Sequence, residues 1–385
     1  MADTYPVGPV KKLGFGFMRL PRKDDKVDYE PMMVLVDAFL SRGFSYFDTA
    51  YVYEGSEESL RETLVKRHPR EKFQIATKLP TMMLKTQQEL QPAFDTSLSR
   101  LGIDYIDYYL LHGISGKENE KCEKIGVWEF LKKLKAEGKI RHYGFSYHDN
   151  PENLDIILTR HPDVEFVQLQ INYLDWDSKD VQSRRLYEVA RKHNKPFSIM
   201  EPVKGGLLVG KGSSIEKIFI AANPDASVAS WAVRFAASLE GLMVMLSGMT
   251  TMEMLEDNMD TIDHLKPLSE EEMKTVQRAV EVLNSTPGVP CTGCRYCVPN
   301  CPMKINIPAL MDIYNEYLKY KTIANNNIFA FMMATKDGGK PSQCIDCKAC
   351  ESHCPQRIDI TKALQTLSTV YESEADSSVP GEVSR

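Results

Sequence analysis

Apolar residues in this chain fall in short, nearly unbroken runs separated by segments of helical period. The runs are residues 13–18, 46–49, 73–78, 106–112, 142–146, 166–170, 196–201 and 243–247. Runs this apolar suit strands buried on both faces of a parallel sheet. Between them, Leu90, Phe94, Leu98 and Leu101 form one helical stripe, and Phe130, Leu131 and Leu134 form another that stops before Gly138. Strands alternating with helices over about 250 residues predict a (β/α)8 barrel at residues 1–268. A doubly wound open sheet is the alternative, but no Gly-rich dinucleotide fingerprint follows an early strand.

The pattern changes after the barrel. Ser269 followed by Glu272 is a capping box that predicts a helix to about Leu283, and residues 284–290 read as a linker. Helix and linker together span 269–290. Residues 291–373 predict a small, mostly helical domain, with helices marked by Ile307, Leu310, Met311 and Tyr314 and by Leu364, Leu367, Val370 and Tyr371. Residues 374–385 are polar and read as a disordered tail.

Charge and composition narrow the function classes. The net charge of −6 argues against nucleic-acid binding, which leans on a basic face. No run approaches the roughly 18 apolar residues of a membrane span. The first residues carry no apolar signal-peptide core, so a cytoplasmic location is expected. The nine cysteines are unevenly placed: Cys122 stands alone, whereas the others crowd into two motifs, as metal ligation requires and a secreted disulfide framework does not.

Those motifs are Cys291, Cys294, Cys297 and Cys301-Pro302, then Cys344, Cys347, Cys350 and Cys354-Pro355. Three cysteines at this spacing wrap three corners of one [4Fe–4S] cubane, and the fourth ligates the other cluster. One cluster is therefore assigned to Cys291, Cys294, Cys297 and Cys354, the other to Cys344, Cys347, Cys350 and Cys301. Structural zinc is the alternative, although it usually takes two CxxC pairs set well apart. Residues 285–365 resemble dicluster ferredoxin domains, and the long spacer between motifs is similar to the α-helical ferredoxin type. That resemblance implies a one-electron donor or acceptor protein as partner.

Polar residues end three consecutive strand runs. Asp48 closes one, with Tyr53 five residues on; Lys78 closes the next and His112 the one after. Each alone has an ordinary structural explanation, but chemistry in barrels gathers at the C-terminal strand ends, and four such residues together point to a site. Lys204, with Gly205 and Gly206, makes a candidate phosphate cradle. Trp128, Trp176 and Trp231 read as core. His142 and His148 have no evident carboxylate partner in the sequence and read as incidental.

From about Leu13 to Asp263 the chain resembles the aldo-keto reductase family. The resemblance rests on Leu13-Gly-Phe-Gly16, Phe47-Asp-Thr-Ala50, Ser97-Leu-Ser-Arg-Leu-Gly102, Tyr105 through His112, Gly144-Phe-Ser146, Gln170-Ile-Asn-Tyr173 and Glu256-Asp-Asn258. It implies reduction of a small carbonyl substrate, sugar-like compounds among the candidates, to an alcohol, or the reverse, with NAD(P) as hydride source. Tyr53 would protonate the carbonyl oxygen, Lys78 would lower the Tyr53 pKa, Asp48 would pair with Lys78, and His112 would orient the carbonyl. Ser146 and Gln170 would hold the nicotinamide carboxamide, and Asn258 would face the adenine. Three departures stand out. Tyr147 follows Ser146 in place of the usual Asn. Met200, ahead of Glu201-Pro202, replaces the aromatic residue that usually stacks on the nicotinamide. The stretch from Gly248 to Thr251 carries no Arg or Lys for an NADP 2′-phosphate. A flavin is the other candidate cofactor, since it joins two-electron to one-electron chemistry. The contrasting function is an electron-transfer or redox-sensing protein whose barrel only binds a ligand.

Overall fold

The computed structural model describes residues 8–23, 26–210, 212–285, 288–323 and 325–372. Thr286 and Pro287 of the linker, and all of residues 374–385, lie outside that set. The described residues divide into two compact units, one running to Pro202 and resuming over Ala229–Ser269, the other formed by Val203–Val228 with the chain from Glu270 onward.

In the first unit, strands β1 (Leu13–Gly16), β2 (Tyr46–Asp48), β3 (Gln74–Leu79), β4 (Ile106–Ile114), β5 (Ile140–Tyr147), β6 (Phe166–Gln170), β7 (Phe197–Met200) and β8 (Leu242–Ser247) close a barrel. Every neighbouring pair is parallel, and closure is made by β1 pairing with both β8 and β2. All eight predicted runs form strands, with ends displaced by a residue or two. They were readable because helices cover the outside and side chains fill the inside, so both faces of each strand must be apolar. Tyr46, Ala76, Tyr108, Leu110, Phe166, Met243, Val244 and Leu246 form one buried cluster.

Helix ends follow local chemistry. Asp28 accepts from the Glu30 N–H at the start of Tyr29–Ser41, and Gly102 ends Leu90–Leu101 in the left-handed conformation that glycine adopts without strain. Trp128 and Trp231 are buried, as expected of core, and Trp128 donates to Asn119 Oδ1 at 3.0 Å.

Gly144 is fixed by packing between strands. A Cβ there would stand 2.3 Å from the Phe166 carbonyl oxygen on β6. Because that oxygen is backbone in a closed barrel, it cannot swing aside. Gly144→Ala is expected to destabilise the protein by about 1–3 kcal/mol, read as a lower denaturation midpoint; an unchanged midpoint would contradict the packing described.

The second unit is helical. Ser214–Ala222 packs on Glu270–Ser285, and Ile307–Tyr320 packs on Asn325–Thr335 and Ile360–Leu367. Its core holds Ile305, Leu310, Met311, Phe331, Leu364, Leu367 and Tyr371, with Phe331 stacked on Tyr371 at 5.3 Å between ring centroids. The helix Asn325–Thr335 was not predicted. It opens on three asparagines, and its apolar residues follow without a clean 3.6 period. Among the described residues no helix is long and apolar enough to cross a membrane.

Candidate active site and cluster ligands

The barrel brings Asp48, Tyr53, Lys78 and His112 together at the C-terminal strand ends. Asp48 and Lys78 are both buried, and Lys78 Nζ donates to Asp48 Oδ1 and to the Thr49 carbonyl, each at 2.7 Å. The adjacent strands β2 and β3 make this meeting inevitable, since Asp48 pairs in register with Ala76, two residues before Lys78. Burial pushes the Asp48 carboxyl up, and Lys78 opposes that shift. Burial disfavours the Lys78 ammonium, but the Asp48 charge and the Tyr53 hydroxyl more than offset it, so Lys78 is held protonated.

Tyr53 lies above this pair. Lys78 Nζ is 5.4 Å from the Tyr53 ring centre, and the His112 ring meets the Tyr53 ring edge-on at 5.8 Å. The Tyr53 pKa departs from expectation. Burial raises it; Lys78 lowers it as foreseen, but Asp48 and Glu201 add to the rise, and the net direction is upward. His112 is pushed down to about 3 by burial first, then by Lys78 and His148. Its imidazole is therefore neutral through the physiological range, and its buried Nδ1 has no hydrogen-bond partner among the described residues.

Three further residues join the site without having been foreseen. Gln168 is buried and donates to Asp48 Oδ2 at 3.4 Å. His148, read as incidental, has its pKa lowered by burial first and then by the Lys78 charge. Arg19, just past β1, forms an ion pair with Glu201 at 3.6 Å. Arg19 and His148 carried no sequence signal beyond lying just past a strand, and Gln168 none beyond being a polar residue within β6. His142, by contrast, does have a carboxylate partner: its Nδ1 lies 2.8 Å from Glu165 Oε2.

The expected nucleotide contacts are distributed as follows. Ser146 Oγ accepts the Gly113 N–H at 2.8 Å, which leaves its own hydrogen to donate. The Gln170 amide donates to Asp175 Oδ2 at 2.9 Å, which fixes its orientation and leaves its oxygen as acceptor. That donor–acceptor pair is complementary to a carboxamide. Met200 ends β7, and Glu201 follows with left-handed backbone, φ 58°. Asn258 is buried and donates to Ser247 Oγ at 2.8 Å, while Gly248 leaves open ground where a Cβ would meet nothing closer than 3.8 Å. Lys204 and Gly205 group with the second unit, where Lys204, Gly205 and Gly206 are successively left-handed.

In the second unit the eight motif cysteines gather around two cavities. Cys291, Cys294, Cys297 and Cys354 line one cavity, together with Ile307, Met311, Ile358 and Ile360. Cys301, Cys344, Cys347 and Cys350 line another, with Met303, Ile305 and Leu364. Ile307 contributes to the walls of both. The two loops share one backbone course: Gly293 matches Asp346, Arg295 matches Lys348 and Lys304 matches Arg357, each left-handed. Four thiol donors around an apolar cavity fit a cubane cluster. Among the described residues no three His, Cys, Asp or Glu side chains gather closely enough to hold a single metal ion. Cys122, outside these motifs, is buried, and burial pushes its thiol up to about 12.

Known proteins echo both parts. The family profile described as Aldo/keto reductase family matches residues 12–281, and that described as 4Fe-4S dicluster domain matches residues 290–358. A relative from Glycine max, "Probable aldo-keto reductase 1", is 32% identical over 53% of this chain and 59% of its own length. A relative from Trypanosoma cruzi, "9,11-endoperoxide prostaglandin H2 reductase", is 27% identical over 63% of this chain and 80% of its own. Among solved structures, an aldo-keto reductase from Klebsiella pneumoniae in complex with NADPH is similar in fold, with a TM-score of 0.56 at 23% identity, covering 69% of this chain and 90% of that one.

Proposed function

The chain belongs to the aldo/keto reductase family, and on that premise we propose that residues 1–268 interconvert a small carbonyl compound and its alcohol. We propose further that residues 291–373 hold two [4Fe–4S] clusters that exchange electrons with a one-electron partner protein. The observation that carries the first reading is the buried Lys78–Asp48 pair beneath Tyr53, with His112 alongside.

The residues divide the work by charge. In the reducing direction a carbonyl oxygen gains negative charge and then a proton. Tyr53, kept protonated by burial, is the donor of that proton. The Lys78 ammonium favours the tyrosinate left behind, and Asp48 holds that ammonium in place. Neutral His112 has one N–H to aim at the carbonyl oxygen, which orients the substrate and stabilises developing charge. A nicotinamide dinucleotide, when bound, supplies the hydride; Ser146 and Gln170 are the residues suited to its carboxamide, and the NADPH-bound Klebsiella pneumoniae structure makes NADPH the nucleotide to try first. The expected roles of Gly248 and Asn258 towards that nucleotide belong to the same proposal.

Each cluster, when bound, would carry one electron, so two would match the electron pair of the hydride that one turnover consumes, passed through a carrier competent in both one- and two-electron steps. The eight cysteines are the proposed ligands. The test compares anaerobic protein before and after cluster removal, supplied with either a reduced viologen or NADPH. Carbonyl reduction with the viologen that disappears with the clusters supports the relay. No reduction with the viologen, together with full NADPH-driven activity after cluster removal, would leave the clusters outside turnover.

A further inference from the structure

The proton donor Tyr53 rides on a loop, and a group of charges that the catalytic scheme leaves unused holds that loop. Tyr51, Val52, Glu54 and Gly55 are half-buried or exposed, so apolar packing secures little of the stretch between β2 and the short helix Ser56–Leu60. Two turns shape it: the Tyr53 N–H donates to the Ala50 carbonyl and the Ser56 N–H to the Tyr53 carbonyl, each at 3.0 Å. Turns fix local shape, but not where the loop stands over the barrel. Arg100, in the last turn of the helix Leu90–Leu101, supplies that second constraint. Its Nη1 donates to the Tyr51 carbonyl at 3.1 Å, and its guanidinium lies 4.4 Å from the centre of the Tyr51 ring. Two carboxylates hold the guanidinium in turn, Glu57 through Oε2 and Glu58 through Oε1, each at 3.4 Å. Glu57 is the unusual member, because it is only 1% exposed, and burial raises its pKa even with Thr77 and Arg100 beside it. Thr77 Oγ1 donates to Glu57 Oε1 at 2.7 Å. Thr77 precedes Lys78 in β3, and alternation along a strand puts the two side chains on opposite faces. Glu57 therefore grips the outer face of the strand whose inner face presents Lys78, and Arg100 joins Glu57 to the loop that carries Tyr53.

A buried ion pair is a poor source of stability, because desolvation offsets most of the attraction; its better-attested use is in fixing register and geometry. We propose that Arg100 and Glu57 are positioning residues: together they tie the Tyr53 loop to β3 and so set the distance between the Tyr53 hydroxyl and the Lys78 ammonium. The inference rests on the carbonyl-reductase reading given above. Neither residue exchanges a proton, and the proton still passes from Tyr53 to the carbonyl oxygen. Their effect is on how often Tyr53 stands where that transfer succeeds, since the donor must lie within hydrogen-bond reach of the oxygen.

The test uses the full chain with its clusters. Turnover of a panel of aldehydes and ketones with NADPH, and of the matching alcohols with NADP+, is measured on the unlabelled protein. A second preparation carries 3-fluorotyrosine at position 53, whose fluorine resonance reports the ionisation of that side chain independently of turnover. Arg100→Met is expected to lower kcat about 10–100-fold with KM little changed, the pattern of a misplaced catalytic group. Its tyrosinate loses part of the Lys78 attraction, so the alkaline rise of the oxidising direction and the pH midpoint of the fluorine resonance should both move to higher pH. Arg100→Lys keeps a charge for Glu57 but not the fork that also reaches Tyr51, and should recover only part of kcat. Glu57→Gln keeps an acceptor for Thr77 but loses the charge that seats Arg100, so it should move the same midpoint in the same direction by less. If Arg100→Met does not fold, Arg100→Lys and Glu57→Gln carry the test. Wild-type kcat and an unmoved fluorine midpoint in these variants, even with a lower denaturation midpoint, would make the charges merely structural and overturn the proposal. Full recovery of kcat by Arg100→Lys would overturn it too, since charge alone would then suffice. If the fluorine midpoint depends on Arg100 but the wild type reduces no member of the panel, the positioning stands and the carbonyl-reductase reading falls.

Discussion

Tyr53→Phe is expected to lower kcat for carbonyl reduction by about 10²–10⁴-fold, the usual contribution of a positioned proton donor. The hydroxyl is the only group removed, and the ring that meets His112 edge-on stays. Fold and cluster content should therefore match the wild type, read from the thermal midpoint and the visible absorption. The direction of the Tyr53 shift adds detail. Because burial raises its pKa, the tyrosine remains an acid into the alkaline range, so the reducing direction should hold its rate there better than a tyrosine beside an uncompensated lysine would. The oxidising direction needs the tyrosinate and should rise with pH. A variant that keeps more than a tenth of wild-type kcat would remove Tyr53 from the chemistry and favour a barrel that only binds its ligand.

Lys78→Met is the second large effect, and it acts on stability as well as rate. Removing one partner of a buried pair leaves the other charge uncompensated, which typically costs about 3–5 kcal/mol. Here the stranded group is Asp48, already pushed up by burial even with Lys78 present. Without Lys78 its folded-state pKa must rise further. A carboxyl whose folded pKa exceeds its unfolded value is stabilising, relative to its ionised form, below the unfolded pKa, and that stability is lost as pH rises through the folded pKa. The deficit of Lys78→Met should thus be large at pH 7 and shrink towards pH 4. Adding Asp48→Asn should recover much of the stability at pH 7 without recovering turnover, since the charge beneath Tyr53 is still missing. A deficit that ignores pH, or a double variant no more stable than the single, would contradict the assignment of Asp48 as the stranded charge.

The sequence disclosed these features unevenly. Strands such as β4 were legible because nearly every position in Ile106–Ile114 must be apolar to be covered on both sides. Asp48, Lys78 and His112 were legible because each interrupts such a run at its end. The cysteine motifs were legible because their spacing is itself the ligand geometry. Gln168 and Arg19 were not, since a single polar residue in or after a strand looks the same whether it faces solvent or the barrel interior. The net pKa of Tyr53 was missed for a related reason. A neighbouring lysine can be inferred from strand register, whereas burial depends on the whole mouth of the barrel. The grouping of Val203–Val228 with the cysteine-rich unit was hidden as well, because it depends on Ser214–Ala222 packing against Glu270–Ser285, far along the chain.

The most direct measurement follows a label. Anaerobic protein is given NADPH dideuterated at C4 and a panel of neutral and acidic aldehydes and ketones, and the product alcohols are examined by mass spectrometry. Hydride chemistry at Tyr53 predicts one deuterium on the former carbonyl carbon, present in the wild type and lost with Tyr53→Phe. Alcohol formed without the label, or no alcohol from any member of the panel with the clusters intact, would contradict the account.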